Sequence, residues 1–131
     1  MIILDTDVLI EIERGNQKVI DQLAKHRQTY PGNIGITSAV YAEFIFGYLH
    51  QKRTVPTPLA LFDILDFDKD AAFLFAQKKE ELDRKGKPIP IFDLITASCV
   101  LAQGATLITL DQHFRNVSGL KAIFLEEREE N

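Results

Sequence analysis

The order of apolar and polar positions along the chain predicts short strands that alternate with helices. Short apolar runs bounded by polar or turn residues are typical of strands that are buried on both faces of a sheet. The predicted strands are Ile2–Leu4, Ile34–Ile36, a part of Leu61–Phe67, Ala105–Thr109 and an edge strand at Ala122–Leu125. Between them, apolar residues recur at helical spacing. This alternation predicts an α/β fold, a three-layer α/β/α sandwich with a central, mainly parallel sheet of four to five strands.

Five helices are expected between these strands, and capping residues set their ends. They run from Val8 to near Gly15, from Gln17 to about Gln28, from Ala39 to about His50, from Asp68 or Asp70 to about Arg84, and from Asp93 to about Gln103. Asn16 caps the second helix and Thr37 or Ser38 the third, because their side-chain oxygens can accept from free helix amides. Two prolines in 87–92 favour an extended connector. Residues 51–58 and 113–119 are predicted loops.

Composition and charge limit the class of protein. With 131 residues, 46% hydrophobic and 26% charged, the chain is expected to form a single soluble domain over 1–131, with a frayed tail at 126–131. No apolar run approaches the roughly 18 residues of a membrane helix. The single cysteine, Cys99, fits a reducing cytoplasm. The net charge of −4 argues against a protein that coats nucleic acid by charge alone, but it is compatible with a nuclease.

Four carboxylates occupy corresponding places in the predicted fold. Asp5 ends the first strand, Asp111 follows the fourth, Asp93 starts a helix, and Glu43 lies within the third helix. Helix capping or turn formation explains each aspartate on its own. Glu43 is too far into its helix to cap it, and its helical neighbours, such as Val40, are apolar. A carboxylate on a buried face is costly unless it is paired, protonated or bound to metal.

The four acids together indicate a divalent metal site. Ligands in open α/β sheets bind at the carboxyl ends of the strands, where Asp5 and Asp111 are predicted to lie. Four uncompensated acids at one place would repel each other, whereas Mg²⁺ or Mn²⁺ prefers such all-oxygen surroundings. Zinc would prefer a set of histidines and cysteines, which these positions lack.

The chain resembles the PIN-domain proteins, and within them the VapC type of bacterial toxin–antitoxin ribonucleases. The resemblance covers nearly the whole chain, in order. It rests on Leu4-Asp-Thr-Asp-Val-Leu-Ile10, Thr37-Ser-Ala-Val-Tyr-Ala-Glu43, Asp93-Leu-Ile-Thr-Ala97, and Leu107-Ile-Thr-Leu-Asp-Gln-His-Phe114 followed by Gly119-Leu120. Where this chain has Asp7, the family more often has Asn or Ser. No single motif is specific, but the four together are.

The resemblance implies a set of roles for these residues. Asp5 and Asp93 would bind Mg²⁺ or Mn²⁺ directly, and Glu43 and Asp111 directly or through water. Thr109 would be the supporting hydroxyl near Asp111. Asp7 would either add a fifth carboxylate or only cap the first helix, and capping is the favoured interpretation. The resemblance also implies a cytoplasmic endoribonuclease that forms homodimers and is blocked by a cognate antitoxin.

Metal-assisted hydrolysis of RNA phosphodiester bonds is therefore the expected activity, and two alternatives remain. RNA needs a basic rim around an acidic site, for which the candidates are Lys52, Arg53, Arg84, Lys85, Lys87 and Arg115. A haloacid-dehalogenase-like phosphatase would use Asp5 and Asp7, but Leu9 stands where that class needs a hydroxyl. A non-catalytic RNA-binding module of the same fold would not need all four acids.

Overall fold

Five strands and five helices build the fold in a computed structural model that describes residues 1–55, 59 and 62–127. The strands are β1 (Ile2–Leu4), β2 (Ile34–Thr37), β3 (Asp63–Leu65), β4 (Thr106–Thr109) and β5 (Ala122–Phe124). The helices are α1 (Thr6–Glu13), α2 (Gln17–Thr29), α3 (Ser38–His50), α4 (Lys69–Arg84) and α5 (Ile91–Gln103), with a 3-10 helix at Gln112–Asn116. The predicted loop at 51–58 and the start of the predicted third strand fall partly outside the described residues.

The sheet is parallel, and β1 lies at its centre. The strand order is β3-β2-β1-β4-β5, and all four neighbouring pairs are parallel. In the register, Leu4 pairs with Ile108, so the carboxyl ends of β1 and β4 meet at one edge. The predicted α/β fold with a central parallel sheet is confirmed. The residues directly after these two strands therefore share the edge where α/β proteins bind ligands.

Side chains that alternate along β1 bury both faces of the sheet. Ile2 and Leu4 belong to one core with Val8 of α1 and Val40 of α3, whereas Ile3 belongs to a second core. The second core also contains Leu94, Ala97 and Val100 of α5, with Leu82 of α4 and Leu107 of β4. Helices thus cover both faces, which explains why the strand reads as a continuous apolar run. None of the described helices is long and apolar enough to cross a membrane.

Side-chain caps begin three of the helices, at residues that the sequence predicted as caps. Asn16 accepts from the Val19 amide, Thr37 from the Val40 amide, and Asp68 from the Ala71 amide. Gly104 ends α5 with a positive φ of 61°, which glycine adopts without strain. Asp5 is the N-cap of α1, so that helix begins at Thr6 rather than Val8.

Three expectations about local structure were wrong. α5 begins at Ile91, directly after Pro90, so Asp93 lies in the first turn and is not the N-cap. A proline restricts the residue before it but suits the start of a helix, and the prediction of an extended segment up to residue 92 overlooked this. The predicted loop at 113–119 contains most of the 3-10 helix. The tail at 126–131 was expected to fray, but the backbone of Glu126 exchanges two hydrogen bonds with Gln22 of α2. Residues 128–131 lie outside the described residues.

One glycine permits the close approach of β2 to β3. A Cβ atom on Gly35 would lie 2.7 Å from the carbonyl oxygen of Asp63 and 3.3 Å from Cδ1 of Ile3. Real Cβ atoms do not approach a backbone oxygen this closely. The absence of a side chain at this position therefore allows β2 to lie tightly against its neighbours.

Candidate metal centre

Asp5 lies at the carboxyl end of the central strand, as predicted. Its amide donates to the carbonyl of Ile108, which continues the pairing of β1 with β4 by one residue. Its side chain is only 4% exposed and accepts from the Thr6 amide at 2.9 Å, so Asp5 is both the helix cap and the innermost acid of the site. The capping and site roles are compatible because the cap uses only Oδ1 of Asp5 and leaves Oδ2 for contacts within the site.

Thr109 connects Asp5 with Asp111. The fully buried Thr109 hydroxyl donates to Oδ2 of Asp5 at 2.8 Å and accepts from the Asp111 amide at 3.0 Å. The last residue of β4 thus orients the first acid and fixes the backbone of the fourth. This placement agrees with the supporting position that the resemblance implied for Thr109.

Glu43 is joined to the site through Thr6. The Thr6 hydroxyl donates to Oε1 of Glu43 at 2.9 Å, and Thr6 is the residue that follows Asp5. Glu43 is half-buried: Val40 on its helix is in the core, but Phe46 is 66% exposed. Glu43 therefore lies at the border of the buried face, not within it as the apolar neighbours suggested. Sequence reasoning missed Thr6, although it stands between two of the quoted acids.

His113 lies between Asp93 and Asp111. Its Nε2 is 2.9 Å from Oδ2 of Asp93, and its Nδ1 is 2.9 Å from Oδ1 of Asp111. The Nε2 contact lacks the alignment of a hydrogen bond, so it is a close polar contact only. One ligand atom from each of the three residues lies within 4.8 Å of the other two. His113 was not among the expected site residues, although its place two residues after Asp111 was an available signal.

Burial without compensation raises the pKa of several of these acids. Loss of solvent is the main cause for Asp5, Glu43 and Asp93, and the pKa of Asp93 rises to about 6. The negative charge of Asp5 raises the pKa of Asp93 and of Glu43 further, while His113 lowers that of Asp93. Charges affect each other in this way only at short range, so the four acids form one electrostatic cluster.

Asp7 also belongs to this cluster. Burial first, and then the charge on Asp5, raise the pKa of Asp7 to about 8. Its Oδ1 atom is buried and has no hydrogen-bond partner among the described residues. The expectation that Asp7 caps the first helix was wrong, because Asp5 occupies the N-cap position.

The candidate basic residues occupy different surroundings. Arg53 pairs with Glu13, lies 4.5 Å above the Tyr48 ring and lines a cavity of about 130 Å³ that also reaches Glu43. Arg115 lies 4.0 Å above the Phe124 ring and lines a separate cavity. The others are exposed: Lys52, Lys85, Lys87, and Arg84, which pairs with Glu80 at 3.6 Å. Arg53 therefore shares a cavity with one acid of the site, Glu43.

Comparison with known proteins decides the family. A model of the PIN domain matches residues 2–120. The chain belongs to the PIN domain family. Ribonuclease VapC2 of Rickettsia felis is 30% identical, in an alignment that covers 73% of this chain and 84% of that protein. The tRNA(fMet)-specific endonuclease VapC of Shigella flexneri is 29% identical and is covered over 74% of its length.

A solved structure gives independent support for the PIN fold. The crystal structure of VapBC2 from Rickettsia felis bound to a DNA fragment from its promoter superposes with a TM-score of 0.77. The match covers 96% of this chain and 100% of that chain at 24% sequence identity. The architecture is therefore that of a PIN domain, as the four motifs predicted.

The acids of this PIN domain fit a divalent cation. The ligand candidates are carboxylate oxygens, which hard cations such as Mg²⁺ and Mn²⁺ prefer. The raised pKa of Asp5 and Asp93 shows that their negative charge is poorly compensated by the protein itself. The buried, unpartnered oxygen of Asp7 gives the same indication. A cation would supply the charge that this arrangement lacks.

Proposed function

We propose that this PIN-domain protein is a Mg²⁺- or Mn²⁺-dependent endoribonuclease, the toxin of a VapBC-type toxin–antitoxin pair. The observation that carries the proposal is that Thr109, Thr6 and His113 connect four acids at the carboxyl end of β1: Asp5, Glu43, Asp93 and Asp111. Family membership and the ribonuclease names of two relatives support the reaction class. The acids, contributed by β1, α3, α5 and the end of β4, would hold the metal.

The cation would polarise a phosphoryl oxygen and lower the pKa of a bound water for hydrolysis. The protein supplies orientation. Thr109 fixes one oxygen of Asp5, and Thr6 fixes one oxygen of Glu43, so two acids are held before the metal arrives. Such preorganisation raises affinity because less order has to be created on binding.

RNA would reach the acids across a surface that carries compensating basic groups. Arg53 is the best placed of the candidates, because its cavity also contains Glu43 and Arg14. Lys52, Lys87 and Arg115 remain candidates for contacts further along the strand. Neutral substitution of a phosphate-binding residue should weaken RNA binding and reduce its dependence on salt.

Exposed apolar side chains support the proposed protein partners, a cognate antitoxin and a second copy of the chain. On α3, Phe46 and Leu49 are 66% and 63% exposed, and on α4 Phe73 is 69% exposed. Phe44 and Tyr48 of α3 are buried in the core instead. The solved VapBC2 structure contains both proteins of its pair. Side chains of this size are typical of surfaces that another chain covers.

Cleavage by the purified toxin, freed of antitoxin, tests the proposal. Incubation with RNA and Mn²⁺ or Mg²⁺ should give internal cleavage products, and EDTA should stop the reaction. Asp5→Asn should lower the rate by about 100-fold or more, since even outer groups of a metal site contribute up to that factor. Asp21→Asn on the surface of α2 is the matched control and should retain the activity. Full activity of Asp5→Asn would contradict the assignment.

The same preparations separate the two alternatives. Hydrolysis of small phosphate esters without RNA cleavage would favour the phosphatase, which has lost support because the PIN model covers residues 2–120. Metal-independent RNA binding without cleavage would favour the non-catalytic module. The uncompensated charge of the acids argues against that module, because a dead site gains nothing from buried repulsion.

A further inference from the structure

Asp7 lies in a place that helix formation does not explain. It belongs to the first turn of α1, where an acid favours the helix dipole. An exposed acid serves that purpose equally well, as Asp70 does in the first turn of α4. Asp7 is instead half-buried, and its Oδ1 atom is fully shielded without a donor among the described residues when both acids are ionised; a proton held by Asp7 would join its carboxyl group to that of Asp5. Such a group lowers stability unless something binds to it.

The surroundings of Asp7 are those of the metal centre. Its carboxyl group adjoins that of Asp5 and accepts a hydrogen bond from the backbone amide of Leu110, just beyond β4. Asp7 and Asp111 line the same cavity between α1 and the end of β4. Asp7 therefore lies beside Asp5 and shares a cavity with Asp111, at the same edge of the sheet.

We infer that Asp7 is a fifth carboxylate of the metal centre, and that it binds the divalent cation directly or through one water. The inference rests on the proposed metal-dependent function and goes beyond it by assigning the unpartnered oxygen a ligand. An ionised acid at this position adds negative charge that a neutral side chain of the same size would not. The expected consequence is a higher affinity for the cation, at the cost of repulsion between Asp5 and Asp7 wherever both are ionised in the metal-free protein.

Mn²⁺ binding to the full-length purified chain without RNA tests the inference, with free Mn²⁺ measured by electron paramagnetic resonance. Asp7→Asn keeps the size of the side chain and removes its charge, and it should weaken Mn²⁺ binding by roughly 10- to 100-fold. Asp7→Ser should do the same, because it also removes the charge. Asp70→Asn removes a first-turn acid from α4 and should bind Mn²⁺ as the wild type does. Wild-type affinity in both Asp7 variants would overturn the inference.

Thermal unfolding gives a readout that does not involve catalysis. In EDTA at about pH 8.5, where Asp7 is largely ionised in the folded protein, Asp7→Asn should unfold at a higher temperature than the wild type, because one of two adjacent negative charges has been removed. Saturating Mn²⁺ should then raise the unfolding temperature of the wild type more than that of the variant. An equal increase in both would contradict the inference.

Asp5→Asn separates this inference from the proposed function. If Asp5→Asn loses Mn²⁺ binding while both Asp7 variants retain it, the metal centre stands and only the role of Asp7 is wrong. If Asp5→Asn also binds Mn²⁺ with wild-type affinity, the metal centre itself is wrong, and the inference about Asp7 fails with it.

Discussion

The hydroxyl of Thr109 donates to Oδ2 of Asp5 at 2.8 Å, across a parallel strand pair. The Thr109 hydroxyl oxygen also accepts from the amide of Asp111 at 3.0 Å. One buried side chain from β4 therefore positions acids that follow two different strands. Because Thr109 contributes no charge, its effect on the site can be separated from that of the acids.

Thr109→Val should impair both stability and activity, whereas Thr109→Ser should restore both. Valine has the shape of threonine but leaves the Asp5 oxygen and the Asp111 amide unsatisfied, which costs about 1–3 kcal/mol in free energy of unfolding. Loss of the support should lower RNA cleavage by roughly 10- to 100-fold. Urea denaturation and single-turnover cleavage measure the two effects. Equal activity of the valine and serine variants would show that the hydroxyl does not orient the acids.

Thr6→Val should reduce metal affinity through Glu43. Without the hydroxyl, Oε1 of Glu43 loses its donor at 2.9 Å, and the carboxylate gains freedom at the border of the core. We expect roughly tenfold weaker Mn²⁺ binding, the lower range for a group that orients a ligand. Thr6→Ser keeps the donor and is the matched control. If calorimetric titration finds the same affinity in both variants, Thr6 has no positioning role.

The metal-free protein should become less stable as the pH rises from about 4 to about 8, and the decrease should be steepest between about 4 and 6, where Asp93 and Asp7 both contribute. Asp93 and Asp7 have pKa values of about 6 and about 8 in the folded state, above the ordinary value of 3.8. Between 3.8 and these values the folded state binds more protons than the unfolded state, so the free energy of unfolding falls with pH. This stabilisation is complete below about pH 4 and is lost as each group ionises.

Unfolding temperatures in EDTA, measured across that range, check the sign. Asp7→Asn should flatten the decrease between about pH 6 and pH 8, because in that interval Asp7, of these two acids, is the one still protonated in the folded state and ionised in the unfolded state. Saturating Mn²⁺ should weaken or reverse the decrease, since the cation binds the ionised carboxylates. An unfolding temperature that rises with pH in EDTA would contradict the assignment of these shifts to the folded state.

Gly35→Ala should destabilise the sheet, whereas Gly47→Ala should not. The new methyl group at position 35 would meet the Asp63 carbonyl at 2.7 Å, and the resulting displacement of β3 should cost about 1–3 kcal/mol. At position 47, within α3, a Cβ atom meets nothing within 4 Å, and alanine should stabilise the helix by up to about 1 kcal/mol. Denaturant midpoints of both variants test this contrast.

Much of the fold was predictable because its signals are local. Apolar runs and caps are written in neighbouring residues, so Ile2–Leu4 was placed with its observed bounds and Thr37 was named as one of two caps. The edge that gathers the acids followed from the parallel topology alone. Glu43 drew attention because its position within a helix ruled out the usual explanation for an acid.

The remaining features depend on side-chain conformation or on contacts between distant segments. His113 reaches Asp93 only because the 3-10 helix lies against the start of α5, which no periodicity predicts. Arg53 pairs with Glu13, 40 residues away in the sequence. The adjacency of Asp7 to Asp5 depends on how the first turn of α1 is oriented, and the sequence pattern could not separate that conformation from a cap.

The strand order has a consequence for the time at which activity can arise. β1 leaves the ribosome long before its neighbour β4, since Thr109 is 104 positions beyond Asp5. Contacts of such long sequence separation form late and slowly in folding. In the emerging chain Asp5 and Asp111 therefore remain apart, and the site is incomplete, until β4 has been synthesised. This delay gives a partner translated nearby an opportunity to bind before the nuclease becomes active.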